Sequence, residues 1–261
     1  MTARERAERL RELHRPGDPL VLANVWDAAS ARVVAAAPGC AALATASWAI
    51  AAAHGLPDGE QLTLDAMLAS IAVVVRAAGE LPVTADLERG YADAGATVAA
   101  AIAAGAVGCN LEDGDAAGGV RPIDEHATRV ALARAAGSVA GVPVVINART
   151  DVFLAQVGEP AARVAAALER GRAYLAAGAD CVFVPGLADL DAIATLARGM
   201  GGPISVLAGA GGPTRAELAK AGVARISYGP GLLGVAGAAL RRAATALLAG
   251  EAPPDDLGFR P

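Results

Sequence analysis

The chain has 261 residues, 54% of them hydrophobic and 19% charged, with a net charge of −5 and a pI near 5.3. So much apolar sequence excludes disorder, and an acidic balance without a basic run excludes a nucleic-acid-binding surface. The length suits a single α/β barrel.

Met1 to Arg15 is charged and helical in pattern, unlike a signal peptide. Apolar, β-branched runs then alternate with alanine-rich helical stretches. The pattern predicts strands at Leu20–Asp27, Cys40–Ser47, Leu81–Glu88, Val107–Asp113, Pro143–Thr150, Asp180–Gly186, Ile204–Gly211 and Arg225–Pro230. Helices are predicted near 28–37, 62–78, 92–104, 124–139, 159–177, 189–198, 213–221 and 231–249. Stops such as Ala104–Ala106 and Ala177–Ala179 place a glycine where a helix hands over to a strand. Eight strands close a barrel, and no spacer divides the chain, so the expectation is one (β/α)8 TIM barrel over residues 1–261, preceded by an N-terminal helix. A doubly wound sheet is disfavoured because no GxGxxG follows the first strand.

Cys40, Cys109 and Cys181 lie in apolar runs without a CxxC pair, which predicts reduced thiols and a cytoplasmic protein. Apolar stretches such as Val98–Val107 are too short to span a membrane. Lys220, the single lysine, falls on a helical stretch away from the strand ends, which argues against imine chemistry.

Barrel chemistry belongs at the carboxyl ends of the strands. The third predicted strand ends in Asp86 and Glu88, two apart and so on one side of a strand, an arrangement suited to a hard divalent cation. Glu112, at the end of the neighbouring strand, joins them as a metal candidate, while Asp113 reads as a cap for the following loop. Arg149, in Asn147-Ala148-Arg149-Thr150-Asp151, is a polar interruption of an apolar strand and is expected either to clasp a substrate carboxylate or to pair with Glu88 or Glu112. Ser47 and Trp48 follow a run of small residues that lets backbone approach a ligand; Asp58 lies in a turn-rich segment. The three histidines form no zinc pattern, and Gly209–Pro213 is a weak phosphate-loop signal.

In order and spacing these pieces resemble the isocitrate lyase / phosphoenolpyruvate mutase superfamily. The matching segments are Asn24-Val25-Trp26-Asp27, Thr45-Ala46-Ser47-Trp48, Gly55-Leu56-Pro57-Asp58, Asp86-Leu87-Glu88-Arg89-Gly90-Tyr91, Gly105 to Asp113, and Asn147 to Asp151. The resemblance implies a Mg2+-dependent barrel, with Mn2+ able to replace Mg2+, acting on a small 2-oxo acid. Asp86 would bind the metal, with Asp58, Glu88 and Glu112 holding its waters. Backbone groups at Ser47 and Trp48, with Asp86, Arg149 and the neighbouring Asn147, would bind substrate. The catalytic set would be Arg149, Glu112 and Asp58. It also implies a homo-oligomer, dimer or tetramer, whose last helix, Gly231–Ala249, is exchanged between subunits.

The sequence departs from the superfamily at Gly114–Pro122, where the lyases carry Lys-Cys-Gly-His and the phosphonate enzymes an asparagine. Pro185-Gly186 stands where the lyases usually have a glutamate. The reaction that demands least of this loop is C–C cleavage or decarboxylation of a 2-oxo acid such as oxaloacetate, through a metal-stabilised enolate. The alternatives are phosphonopyruvate or phosphoenolpyruvate P–C chemistry, as a mutase or hydrolase, and a non-catalytic oxo-acid-binding member.

Overall fold

The computed structural model describes residues 1–254; the last part of the expected 1–261 domain lies outside them. The strands are β1 (Leu20–Leu22), β2 (Asn24–Val25), β3 (Leu43–Thr45), β4 (Val83–Asp86), β5 (Gly108–Glu112), β6 (Val145–Arg149), β7 (Cys181–Val184), β8 (Ile204–Leu207) and β9 (Arg225–Ser227). The helices are α1 (Ala3–Glu12), α2 (Ala28–Ala35), α3 (Ser47–Ala53), α4 (Leu64–Ala78), α5 (Ala94–Ala103), α6 (Ile123–Val139), α7 (Arg163–Ala176), α8 (Leu190–Gly199), α9 (Arg215–Lys220) and α10 (Gly231–Leu248).

All strand pairs are parallel, in the order β1-β9-β8-β7-β6-β5-β4-β3-β2. The two ends of that order, β1 and β2, are successive pieces of one segment broken at Ala23, so nine strands make eight staves of a TIM barrel. The predicted strand Leu20–Asp27 is corrected accordingly. Its last residue, Asp27, is the N-cap of α2, accepting the Ser30 N–H at 2.7 Å. The seam is stitched by Asn24, whose Oδ1 accepts from the Ser227 hydroxyl at 2.9 Å and from the Tyr228 and Gly229 N–H groups at 3.0 and 2.9 Å.

Outward-facing residues such as Cys109, Leu111, Ile146 and Ala148 pack under α4 to α7. The bottom of the barrel is closed by α1, whose Ala7 and Leu10 pack with Leu20, Leu22, Val107 and Val145. Gly108 makes room for this plug, since a Cβ there would lie 2.7 Å from Leu10 Cδ2. Inside, Arg225 is fully buried and reaches from β9 to Asn110 on β5, its Nη2 donating to Asn110 Oδ1 at 3.0 Å.

The helix α10 has no buried residue and exposes Val235, Leu240 and Leu248. By length and composition alone it is apolar enough to cross a membrane, which the sequence reading overlooked. Its adjacent Arg241 and Arg242 would be costly in a bilayer.

Two buried histidines make folding sensitive to acid. His126 on α6 packs edge-on against Tyr174 with ring centroids 4.6 Å apart, and neither ring nitrogen has a protein partner. His14 donates Nδ1–H to the Leu10 carbonyl at 2.8 Å. Burial pushes both down to about 4. The unfolded chain therefore binds more protons between pH 6.5 and 4, and stability present above that window is lost as pH falls through it. At pH 5 each histidine costs about 2 kcal/mol relative to neutral pH. Denaturant unfolding at pH 7 and pH 5 should show a loss about 2 kcal/mol smaller in His126→Phe than in the wild type; equal losses would refute this.

Candidate active site

At the carboxyl ends of the strands lies a cavity of about 290 Å3. One wall is polar, with Asn24, Ser47, Asp58, Asp86, Asn110 and Arg149; the other is apolar, with Trp48, Leu154, Phe183, Pro185 and Leu207. Trp48 stands at the mouth, 48% exposed.

Asp86 closes β4 and is held from one side only. Its Oδ2 accepts the Ser47 N–H and the Ser47 hydroxyl, each at 3.0 Å, and its own N–H donates to Thr45 Oγ1 at 2.8 Å. The other oxygen, Oδ1, has only a long 3.5 Å contact from Asn110 Nδ2. Asn110 cannot turn freely, because its Oδ1 already accepts from Asn147 Nδ2 at 2.8 Å and from Arg225. The Ser47 N–H, expected to receive a substrate carboxylate, is thus committed to Asp86. Ser47 also begins α3 rather than ending a strand, another correction of the sequence reading.

Glu88 lies near Asp86, but not by strand alternation. Strand β4 ends at Asp86, and Glu88 has φ +52°, a left-handed conformation outside any strand. One carboxylate oxygen accepts the Glu60 N–H, while Oε1 is buried without a partner. Burial, helped by the Asp58 charge, raises Glu88 to about 7. Asp58, exposed at the cavity mouth, is also raised, by desolvation and then by Asp86.

Arg149 takes the internal pairing that the sequence left open. Its Nη1 lies 2.6 Å from Glu112 Oε2, and Nε and Nη2 reach the two oxygens of Asp151 at 2.6 and 3.0 Å. Burial, offset in part by Arg149 and reinforced by Asp151, pushes Glu112 up to about 8. Glu112 is drawn to Arg149 rather than lining the cavity. Asn147, expected to touch substrate, is fully buried and reaches the site only through Asn110.

Asp113 is not a loop cap. It is fully buried; Oδ1 accepts the Asp151 N–H at 2.8 Å, and Oδ2 accepts the Tyr174 hydroxyl at 2.7 Å and Arg170 Nη1 at 3.0 Å. The contributions of Asn110 and Arg225 were missed as well. Asn110 interrupts the apolar run of β5 and Arg225 opens β9, and a polar residue in a barrel strand was the available signal.

Among the described residues no three His, Cys, Asp or Glu side chains converge as a ready-made metal cage. The carboxylates still fit a cation that keeps most of its waters. Asp86 Oδ1 is nearly free, Glu88 Oε1 is orphaned, and the neighbouring acidic charge raises both Asp58 and Glu88. Arg149, the one cation on the cavity wall among the described residues, is already shared by Glu112 and Asp151.

The phosphoenolpyruvate phosphomutase family model matches residues 10–248. The chain belongs to this family. Among solved structures, a Burkholderia cenocepacia protein provisionally described as a phosphonomutase superposes on this phosphomutase-family chain with a TM-score of 0.87 at 46% identity, covering 95% of this chain and 100% of that one. An uncharacterized protein of Mycobacterium tuberculosis is 35% identical over 219 residues, 84% of this chain and 80% of its own length. An oxaloacetate decarboxylase of Rhodopseudomonas palustris is 34% identical over 165 residues, 57% of this chain and 54% of that protein. The family thus joins mutases and lyases on one barrel, and this chain shares the enzyme fold.

Proposed function

We propose that this chain is a Mg2+-dependent lyase acting on a small 2-oxo acid, with oxaloacetate the first substrate to test. The observation that carries the reading is Asp86, fixed on one side by Ser47 and open on the other, beside Asp58 and the Arg149 guanidinium in a cavity of about 290 Å3. Glu112, paired with Arg149, stands behind the cavity wall, while Asp86 would hold the metal directly and Asp58 and Glu88 would hold its waters. Bound there, Mg2+ would supply a Lewis acid toward the keto and carboxylate oxygens of the substrate.

The chain's own groups do the rest. Ser47 keeps Asp86 in one rotamer, so the site is arranged before substrate arrives. Arg149, fixed in orientation by Glu112 and Asp151, offers its remaining N–H groups to the substrate carboxylate. The wall of Leu154, Phe183, Pro185 and Leu207 keeps water from the reacting carbon. In decarboxylation the C3–C4 bond breaks, CO2 leaves, and the electron pair stays on the oxo-acid fragment until C3 takes a proton. No acid is needed on the leaving group, so a loop without cysteine, lysine or asparagine suffices. The relation to an oxaloacetate decarboxylase supports this choice.

The second reading is phosphonopyruvate P–C chemistry, favoured by the phosphomutase family match and by the Burkholderia structure. Purified protein with Mg2+ should release pyruvate from oxaloacetate faster than from 2-methylisocitrate or phosphonopyruvate. Pyruvate from phosphonopyruvate alone would favour the second reading. Inactivity on all three, with oxalate still bound, would favour a non-catalytic member.

A further inference from the structure

The segment Gly114–Pro122, where the superfamily's loop residues are missing, is folded back on itself. Gly114 bridges Val120, and the Asp115 carboxylate accepts the Ala117 and Gly119 N–H groups, each at 2.8 Å. Both ends of this hairpin are tied to Asp113. The Arg121 N–H donates to the Asp113 carbonyl at 2.8 Å, and Arg170 Nη1 bonds both the Arg121 carbonyl, at 2.9 Å, and the Asp113 carboxylate. Arg170 and Tyr174, one turn apart on α7, thus grip the same buried acid.

Asp113 also holds the neighbouring strand end. Its N–H donates to the Arg149 carbonyl at 3.0 Å, and its Oδ1 receives the Asp151 N–H. Asp151 in turn clasps Arg149. At the start of the hairpin, a Cβ on Gly114 would lie 2.9 Å from Asp151 Oδ2, the oxygen that receives Arg149 Nη2.

We propose that Asp113, braced by Arg170 and Tyr174, is a positioning residue that aims Arg149 at the substrate carboxylate through Asp151, and that it couples this aim to the seating of the 114–120 hairpin. The proposal rests on the reading of Arg149 as the substrate-binding cation. The physical basis is that Asp151 has no slack: its backbone is held by Asp113, its carboxylate by Arg149, and Gly114 packs against the same oxygen. A displaced hairpin therefore displaces the guanidinium.

The test is calorimetric binding of oxalate with Mg2+ to the wild type and to Gly114→Ala, Tyr174→Phe and Arg149→Met, with thermal melting of each and amide exchange of residues 114–120. The methyl in Gly114→Ala would lie 2.9 Å from Asp151 Oδ2 and must displace that carboxylate, so oxalate affinity should fall severalfold. Tyr174→Phe removes one bond to Asp113 and should weaken oxalate severalfold, with faster exchange in the hairpin. Both variants should melt close to the wild type, which separates an aiming role from a merely structural one. If both bind oxalate like the wild type while Arg149→Met does not, the positioning role is refuted and the Arg149 reading stands. If Arg149→Met also binds normally, or the wild type fails to bind, the Arg149 reading falls and this proposal with it.

Discussion

Asp86→Asn is expected to leave a folded barrel whose Mg2+-dependent turnover is lower by about 10³-fold, the upper range for loss of one preorganised electrostatic group. The substitution keeps shape and removes charge. Ser47 donates twice to Asp86 Oδ2, so an asparagine keeps its oxygen there and turns its NH2 group toward the cavity and Asn110 Nδ2. A donor then stands where a cation needs an acceptor. Thermal melting should change little, because the Thr45 contact uses the backbone of residue 86. Calorimetry with Mg2+ alone tests the ligand role without a substrate, and unchanged affinity in folded Asp86→Asn would remove Asp86 from the metal site.

Arg149→Met carries the largest stability effect. Every guanidinium nitrogen of Arg149 faces a carboxylate oxygen of Glu112 or Asp151 within 3.0 Å. Removing one partner of a buried ion pair costs about 3–5 kcal/mol, because the remaining charges are left uncompensated. Glu112 is already raised by burial, and without Arg149 it rises further. A carboxylate raised in the folded state destabilises folding as pH climbs above its unfolded value. The deficit of Arg149→Met should therefore be larger at pH 8 than at pH 6, measured by denaturant unfolding. A deficit independent of pH would show that the carboxylates do not carry it.

The barrel was legible because its signal is repeated. Eight apolar runs, each followed by a helical stretch, leave few topologies open, and the structure differs mainly at Ala23 and in the added helix α3. The break at Ala23 has no sequence signature, since Leu-Ala-Asn-Val reads as continuous strand. Asp86 and Arg149, which line the cavity, were singled out because charge at the end of an apolar strand is conspicuous, whereas Asp58, by itself a turn residue, was singled out only by the family resemblance. Glu88 was placed by a period-two rule that the positive φ at that residue defeats. Ser47, Asn147 and Glu112 were given to ligands although their polar groups are used within the protein, a competition between partners that only three-dimensional distances decide. Asp113 was undervalued for the same reason: its partners, Arg170 and Tyr174, are more than fifty residues away.

The seam at Asn24 sets the order in which this enzyme can be built. Asn24 and Ser227 are 203 positions apart, and both line the cavity. During synthesis the first stave must wait for β9 before its outer edge is paired, so the long-range closure entropy is met late. Barrel closure and completion of the pocket are consequently one event. A chain stopped before Arg225 would retain Asp86, Asp58, Arg149 and the apolar wall but lack Ser227, Gly229 and Pro230, leaving β1 and β8 as open sheet edges.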